Sequence, residues 1–519
     1  MSSLPTGTDS PSERAQATAE AVAPPTRIGR RSSTRRDFLF GGAAVAAASA
    51  GALAIITDKT PRNPGGDPGV PGFQPVAPPT ENIEAWGTPE LRLARRITMG
   101  LTSAEAALAR AKGFSGYLEY HLNPDAIDDS AVNAFVAANY PQIAQQGTEL
   151  YTLSTDVVLR QLQEATLFRA AFSKKQLFER MVEFWTDHFN ISMREVGYLK
   201  TLDDREVIRR HALGNFPDML RASAHSAAML VYLDNNTSRY PKVNENYARE
   251  LMELHTMGVD GGYTQTDVAE VARCLSGWTI KGRGEFNFDP TGHDFGAKSF
   301  LGQTIPAAPG TGAAAVSEGD KVLNVLAAHP STAKYIATKM SRWLLTYEPS
   351  PALVASVASV YQSTGGNIPA MIRTILTPAN LAAAPAKHKR PFHFVVSALR
   401  ALNPRVTNVT GIATTRMSLV GQQSFVWETP DGYPDKVQFW SGLIMQRWAF
   451  GDYLTALTTG EVTVDVAPFM RVNRVDAVVA SINIELFGGE MPQRTFGELT
   501  TYLEAGTLNA ARVRETLAL

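Results

Sequence analysis

Residues Asn244–Thr279 read NENYARELMELHTMGVDGGYTQTDVAEVARCLSGWT, and their spacing decides how the whole chain is read. Nothing between Asn246 and Met257 breaks a helix. At the pitch of an α-helix, Asn246, Arg249, Glu250 and Glu253 share one strip, related by steps of three and four. Ala248, Leu251, Met252, His255 and Val259 fall on the other side, and most are apolar. Gly258 suits the position just past a helix end, where a left-handed backbone costs glycine little. Asp260, Gly261 and Gly262 make the turn, and Thr264 with Asp267 forms a capping box with Asp in place of the usual Glu or Gln. A second helix follows through Val268, Val271, Ala272 and Leu275 to a stop near Gly277.

The same helical spacing extends outward on both sides. Thr88-Pro89 opens a short helix through Leu91, Ala94 and Ile97, and Thr102 with Glu105 caps another that stops at Gly113. An amphipathic stretch covers Thr148 to Phe172. Leu177, Met181, Phe184, Trp185 and His188 then mark one helix face. His188 therefore reads first as a core histidine and second as a site residue. Pro330 and Pro391 each begin a further helix. Between Gly282 and Gly312 the pattern turns irregular, with short alternation at Glu285–Phe288 that suits a hairpin. The predicted fold is mainly α: a multi-helix globular domain with a small irregular or β insertion near residues 282–312.

Composition agrees. The chain has 519 residues, 44% of them hydrophobic, and a net charge of −1, so no basic balance points to nucleic acid. Its one cysteine, Cys274, lies on the apolar side of a helix and reads as a buried structural thiol; no intrachain disulfide can form. The chain divides into a disordered lead with a signal segment (1–56), a Pro/Gly-rich linker (57–84), a helical domain (85–455) and a C-terminal extension packed on that domain (456–519). The signal reading rests on Ser33-Thr34-Arg35-Arg36-Asp37-Phe38-Leu39, two arginines ahead of a weakly apolar, uncharged run to Ile56. That is the pattern of a twin-arginine export leader, which predicts the export machinery as a partner and an exported location: periplasm, cell envelope or secreted. An uncleaved leader is the one predicted attachment to membrane.

Candidate site residues cluster on the central stretch. Leu233-Asp234-Asn235-Asn236 ends a helix just before Asn244, and a returning loop would bring Asp and Asn side chains beside Glu250. We take Glu250, Glu253 and Asp234 as candidate catalytic carboxylates, with Asn244, Asn246, Arg249 and His188 as candidate binding residues. Glycoside cleavage needs an acid and an ionised partner across the bond, so one glutamate would pair with Asp234 or Asp187. The bland alternative is that Arg249 pairs with the glutamates and simply locks helices together. Three functions follow: a hydrolase acting on a glycan or other envelope or extracellular polymer, a metal- or redox-cofactor protein, or a non-catalytic envelope partner. The nine histidines show no HExxH or CxxCH spacing, so neither metal nor cofactor is identified.

The stretch NENYARELMELHTMGVDGGYTQTDV, with FWTDHFN upstream, resembles the bacterial family known as domain of unknown function 1800 (DUF1800). LARRITMGLT, HDFGAKSFLG, HPSTAKYIATKM and PDGYPDKVQFW match that pattern too, over roughly residues 85–455. The resemblance implies a largely helical, often exported protein, frequently encoded beside a sulfatase-like partner. It implies no activity and transfers no catalytic residue.

Overall fold

The computed structural model describes residues 87–307 and 313–519. The predicted leader and linker lie outside the described residues. Twenty-four α-helices account for most of that length, joined by three two-stranded antiparallel ladders, so the fold is mainly α. No helix among the described residues is long and apolar enough to cross a membrane.

Helix α1 (Pro89–Ile97) buries Leu91, Leu93, Ala94 and Ile97 and carries Arg95 and Arg96 in its last turn. Its proline sits in the first turn, where a missing N–H costs nothing. Helix α2 (Ser103–Leu122) is capped by the Thr102 hydroxyl, which accepts from the Glu105 N–H. Gly113 does not stop it. The glycine adopts φ +65°, the helix kinks, and a second segment runs on to Leu122. The predicted stretch Thr148–Phe172 is likewise interrupted, because Ser154 is extended and caps α3 (Thr155–Phe172). Helix α4 (Gln176–His188) carries the FWTDH segment on its last turns.

The central stretch forms α5 (Asn246–Glu250), but the helix does not stay regular. Leu251–Thr256 winds as a π turn, in which the Met257 N–H reaches back to the Met252 carbonyl. One extra residue per turn rotates everything downstream relative to the strip drawn from the sequence. Gly258 ends the segment at φ +81°. Thr264 and Asp267 form the predicted capping box of α6 (Gln265–Leu275). The small β insertion follows as two hairpins, β1 (Trp278–Lys281) with β2 (Glu285–Phe288) and β3 (Lys298–Phe300) with β4 (Gln303–Ile305). Helix α7 (Pro330–Leu344) places Trp343 in its last turn, α8 (Pro378–Ala383) is short, and α9 (Pro391–Leu402) begins at Arg390, its N-cap. Helices α10 (Val437–Trp440), α11 (Ile444–Ala456) and α12 (Val475–Phe487) come last in the part that matters here.

Apolar side chains collect in two cores. The first takes residues from α1, α2, α4, α5, α6 and α7 and extends to Leu381. The second takes α3, α9, α11 and α12. Each fully buried Leu or Phe contributes about 1.5–3 kcal/mol, so either core is a large stabilising unit. Residues beyond 455, such as Val478, Val479 and Ile482, pack into the second core beside α3. Where α4 of the first core meets α9 of the second, the seam is charged rather than apolar: Arg180, Glu183, Asp187, Arg390 and His393 lie there, with Arg180, Arg390 and His393 buried.

Candidate functional site: a cationic cavity at the seam

Of the residues singled out from the sequence, six lie on or beside the central stretch and His188 lies in the core. Asp234 is exposed, in a left-handed turn at φ 60°. The Asn244 side chain accepts from the Asn246 N–H, and the Asn246 amide donates to the Leu233 carbonyl, so both asparagines fasten the turn before α5. Arg249 binds Glu245 at 3.1 Å and Gln265 at 2.9 Å. Glu250 and Glu253 are half-buried near Tyr263; burial and their negative charge push its phenol up to about 12. His188 is 1% exposed among Phe184, Trp185, Phe189 and Phe216, and its Nε2 donates to the His255 carbonyl at 3.1 Å. Burial holds its imidazole neutral, well below the ordinary histidine range. None of these seven lines the cavity at the seam.

That cavity has a volume of about 420 Å³, and seven of the residues around it are Arg or Lys against one carboxylate, Asp435. Two short basic runs supply most of the charge: Arg92, Arg95 and Arg96 on α1, and Lys387, Lys389 and Arg390 just before α9. Arg180 of α4 completes the set. The N-terminus of α9 adds its own partial positive charge at the same place. Trp343 forms the floor: Arg180, Arg390 and Lys387 stand 5.1, 5.2 and 5.5 Å from its ring centre. Three cations around one indole share its negative face, which partly offsets their mutual repulsion.

Two of the cations are anchored by carboxylates. Arg390, only 2% exposed, donates from Nη1 to Asp187 at 2.7 Å, with Glu183 at 3.8 Å from Nη2. Lys387 meets Asp435 at 2.6 Å and also caps the carbonyls of Arg342 and Trp343. Arg180 and Lys389 form no ion pair among the described residues. Arg390 Nε and Nη2 and Arg180 Nε are buried donors with no hydrogen-bond partner. Such a donor ordinarily costs about 1–3 kcal/mol unless something accepts from it.

The crowding shows in the protonation equilibria. Burial, then the charges of Arg95, Arg180 and Arg447, pulls Lys389 down to about 7. Burial lowers Lys387 to about 8 despite Asp435, and Arg95 to about 9. On the α4 side, burial and the Glu183 charge raise Asp187 to about 6, with Arg390 opposing. His393 is held neutral by burial and by Arg180, Arg390 and Lys387; with its proton on Nε2 it donates to Glu183 at 2.6 Å. Glu183 and Asp187 also line a cavity of about 40 Å³, room for little more than water. Gly432 closes this side: at φ +73°, a Cβ there would lie 2.1 Å from the Asp187 carbonyl oxygen.

Three of the motifs read from the sequence converge here: LARRITMGLT through Arg95 to Leu101, FWTDHFN through Asp187, and PDGYPDKVQFW through Asp435. Comparison with known families agrees with the motifs. Residues 92–519 match the protein family of unknown function DUF1800. The chain belongs to the DUF1800 family. No curated protein and no solved structure matches it significantly. Membership brings no reaction with it, so the chemistry of this DUF1800 chain is read from its residues. Among the described residues, no three His, Cys, Asp or Glu side chains converge to hold a metal ion. What the cavity offers is a fixed cluster of hydrogen-bond donors and positive charge for an anion, beside amines that exchange protons near neutral pH.

The sequence held one signal for this site. In a chain of net charge −1, Lys387-His388-Lys389-Arg390 ahead of Pro391 is a dense basic run, and Arg95-Arg96 is a second. Read singly, each is an ordinary solvated charge at a helix end. Only the fold brings them together.

Proposed function

We propose that this protein recognises an anionic group in the cavity at the seam, and that it acts as an exported hydrolase on a glycan or other envelope or extracellular polymer bearing such groups. One observation carries the anion reading. Seven cationic side chains line a space with a single carboxylate, and beside it three buried guanidinium nitrogens of Arg180 and Arg390 lack a hydrogen-bond partner. Phosphate, sulfate and carboxylate substituents accept charge-assisted bonds in the geometry that arginine supplies. Hydrolysis is supported by Lys389 and Asp187, whose ordinary protonation ranges are shifted toward neutrality. Export by the twin-arginine route rests on Arg35 and Arg36 and their flanks, and a sulfatase-like partner on the family resemblance alone.

Thermal melting in added phosphate or sulfate tests the anion reading. The midpoint should climb with concentration in the natural chain and much less in Lys389→Met. A midpoint indifferent to both anions sinks the proposal. For hydrolysis, sulfated, phosphorylated and uronate-bearing polymers are screened for release of shorter products. Turnover should be lost in Lys389→Met while its melting midpoint in plain buffer is kept or raised; equal turnover in the variant removes Lys389 from the chemistry.

A further inference from the structure

We infer that the anion taken by this cavity is the headgroup of a lipid, and that the exposed apolar face of α10 and α11 seats the protein on the lipid surface presenting it. The inference rests on the anion reading above and names the source of the charge.

Ten large hydrophobic side chains are exposed among the described residues, and five fall between residues 419 and 448: Leu419, Phe439, Ile444, Met445 and Trp448. Met445 is 68% and Trp448 57% exposed. On α11 the spacing of Ile444, Met445 and Trp448 puts all three on one side. Phe450 and Leu454, on the opposite side, are buried in the second core. The face is therefore not a core face seen edge-on; among the described residues nothing covers it. Leu419 lies near it, since a Cβ placed on Gly421 would stand 3.8 Å from the Leu443 side chain. Asp452, exposed one turn beyond Trp448, ends the apolar strip.

This face adjoins the cavity wall directly. Arg447, between Met445 and Trp448, donates to the Lys389 carbonyl at 2.7 Å. His388, on the cavity, lies close to the Trp440 backbone. Asp435, on the cavity, stands four residues before Phe439, just ahead of the extended N-cap of α10. The molecule thus sets apolar and aromatic side chains in solvent next to a concentrated positive charge, in a chain that is slightly acidic overall. An apolar protein partner would explain the face but not the charge beside it. A lipid surface explains both: Trp and aliphatic side chains enter the acyl boundary while Lys and Arg meet anionic headgroups.

The test uses the full-length chain with Met445→Cys, labelled with an environment-sensitive dye. Cys274, the only native cysteine, is buried and its thiol is pushed up to about 12, so it does not compete for the label. Phosphatidylcholine vesicles are compared with equimolar phosphatidylcholine and phosphatidylglycerol. The dye reports on this face, so attachment through an apolar leader leaves it unmoved. A blue shift on the mixed vesicles, weaker on phosphatidylcholine alone, is expected. Removing one cation should weaken it about fivefold, and Lys389→Glu by more than that. Trp448→Glu should abolish the shift. Equal shifts on both vesicles, or an unchanged shift in Lys389→Glu, overturn the headgroup role. No shift, with phosphate still raising the melting midpoint, overturns the lipid inference and leaves the anion reading standing; no shift and no phosphate effect overturns both.

Discussion

Two regions of this molecule carry dense polar side chains, and they behave oppositely. Around Asn244–Thr264 the polar groups are close in sequence and bond to one another and to nearby backbone: Asn244 to Asn246, Arg249 to Glu245 and Gln265, Thr264 to Asp267. At the seam, the charges come from runs about as far apart as Arg96 and Lys389 and leave buried donors unmatched. Local polar density here marks a junction whose hydrogen bonds close on themselves. A surplus that does not close arises where distant segments meet. The surplus, not the density, is what has chemistry left to offer.

The contrast is sharpest in stability. Arg390→Met strands Asp187 and Glu183 at the seam, and should cost about 3–5 kcal/mol in urea denaturation. Arg249→Ala, which opens a pair of side chains 39% and 40% exposed, should cost less than about 1 kcal/mol. Equal costs would erase the distinction. Ligand response comes next. At a phosphate concentration about a hundredfold above its dissociation constant, the natural chain should gain about 2.7 kcal/mol. Glu250→Gln should gain the same, whereas Lys389→Met should gain clearly less; a loss confined to Glu250→Gln would return the site to the central stretch.

A smaller effect is set by pH. Lys389 and Lys387 titrate at about 7 and about 8 in the folded chain, against 10.5 ordinarily. Between those values the unfolded chain binds more protons, so stability should rise as pH goes from about 7 to about 9. Urea midpoints at the two pH values, in buffer free of multivalent anions, measure the rise, and Lys389→Met should flatten it. The smallest effect belongs to the junction: Thr264→Ala removes the cap of α6 and should cost about 1 kcal/mol, with phosphate binding unchanged.

Much of the fold was legible. The caps at Thr102 and Thr264, the proline at the start of α1, the left-handed Gly258 and the burial of His188 and Cys274 all followed from residue type and spacing. Each is a local effect, decided within about one turn of chain. The π turn at Leu251–Thr256 was not legible, because its sequence is that of an ordinary helix. Gly113 was read as a stop and is a kink, since the segment beyond it finds a partner in the first core through Tyr117 and Leu118. The cavity was hidden for a third reason. Arg390 looks like a surface cation beside a proline, and only tertiary structure shows that it is buried between the carboxylates of another helix.

Cys274 has a consequence that reaches beyond packing. With its sole sulfhydryl sealed beneath other side chains, the chain has no covalent topology to gain or lose when the surrounding redox potential changes. It is one and the same molecule in reducing and in oxidising surroundings. Refolding it from denaturant calls for no oxidant, no isomerase for sulfur and no order of cross-linking, only for Cys274 to stay reduced until the fold covers it.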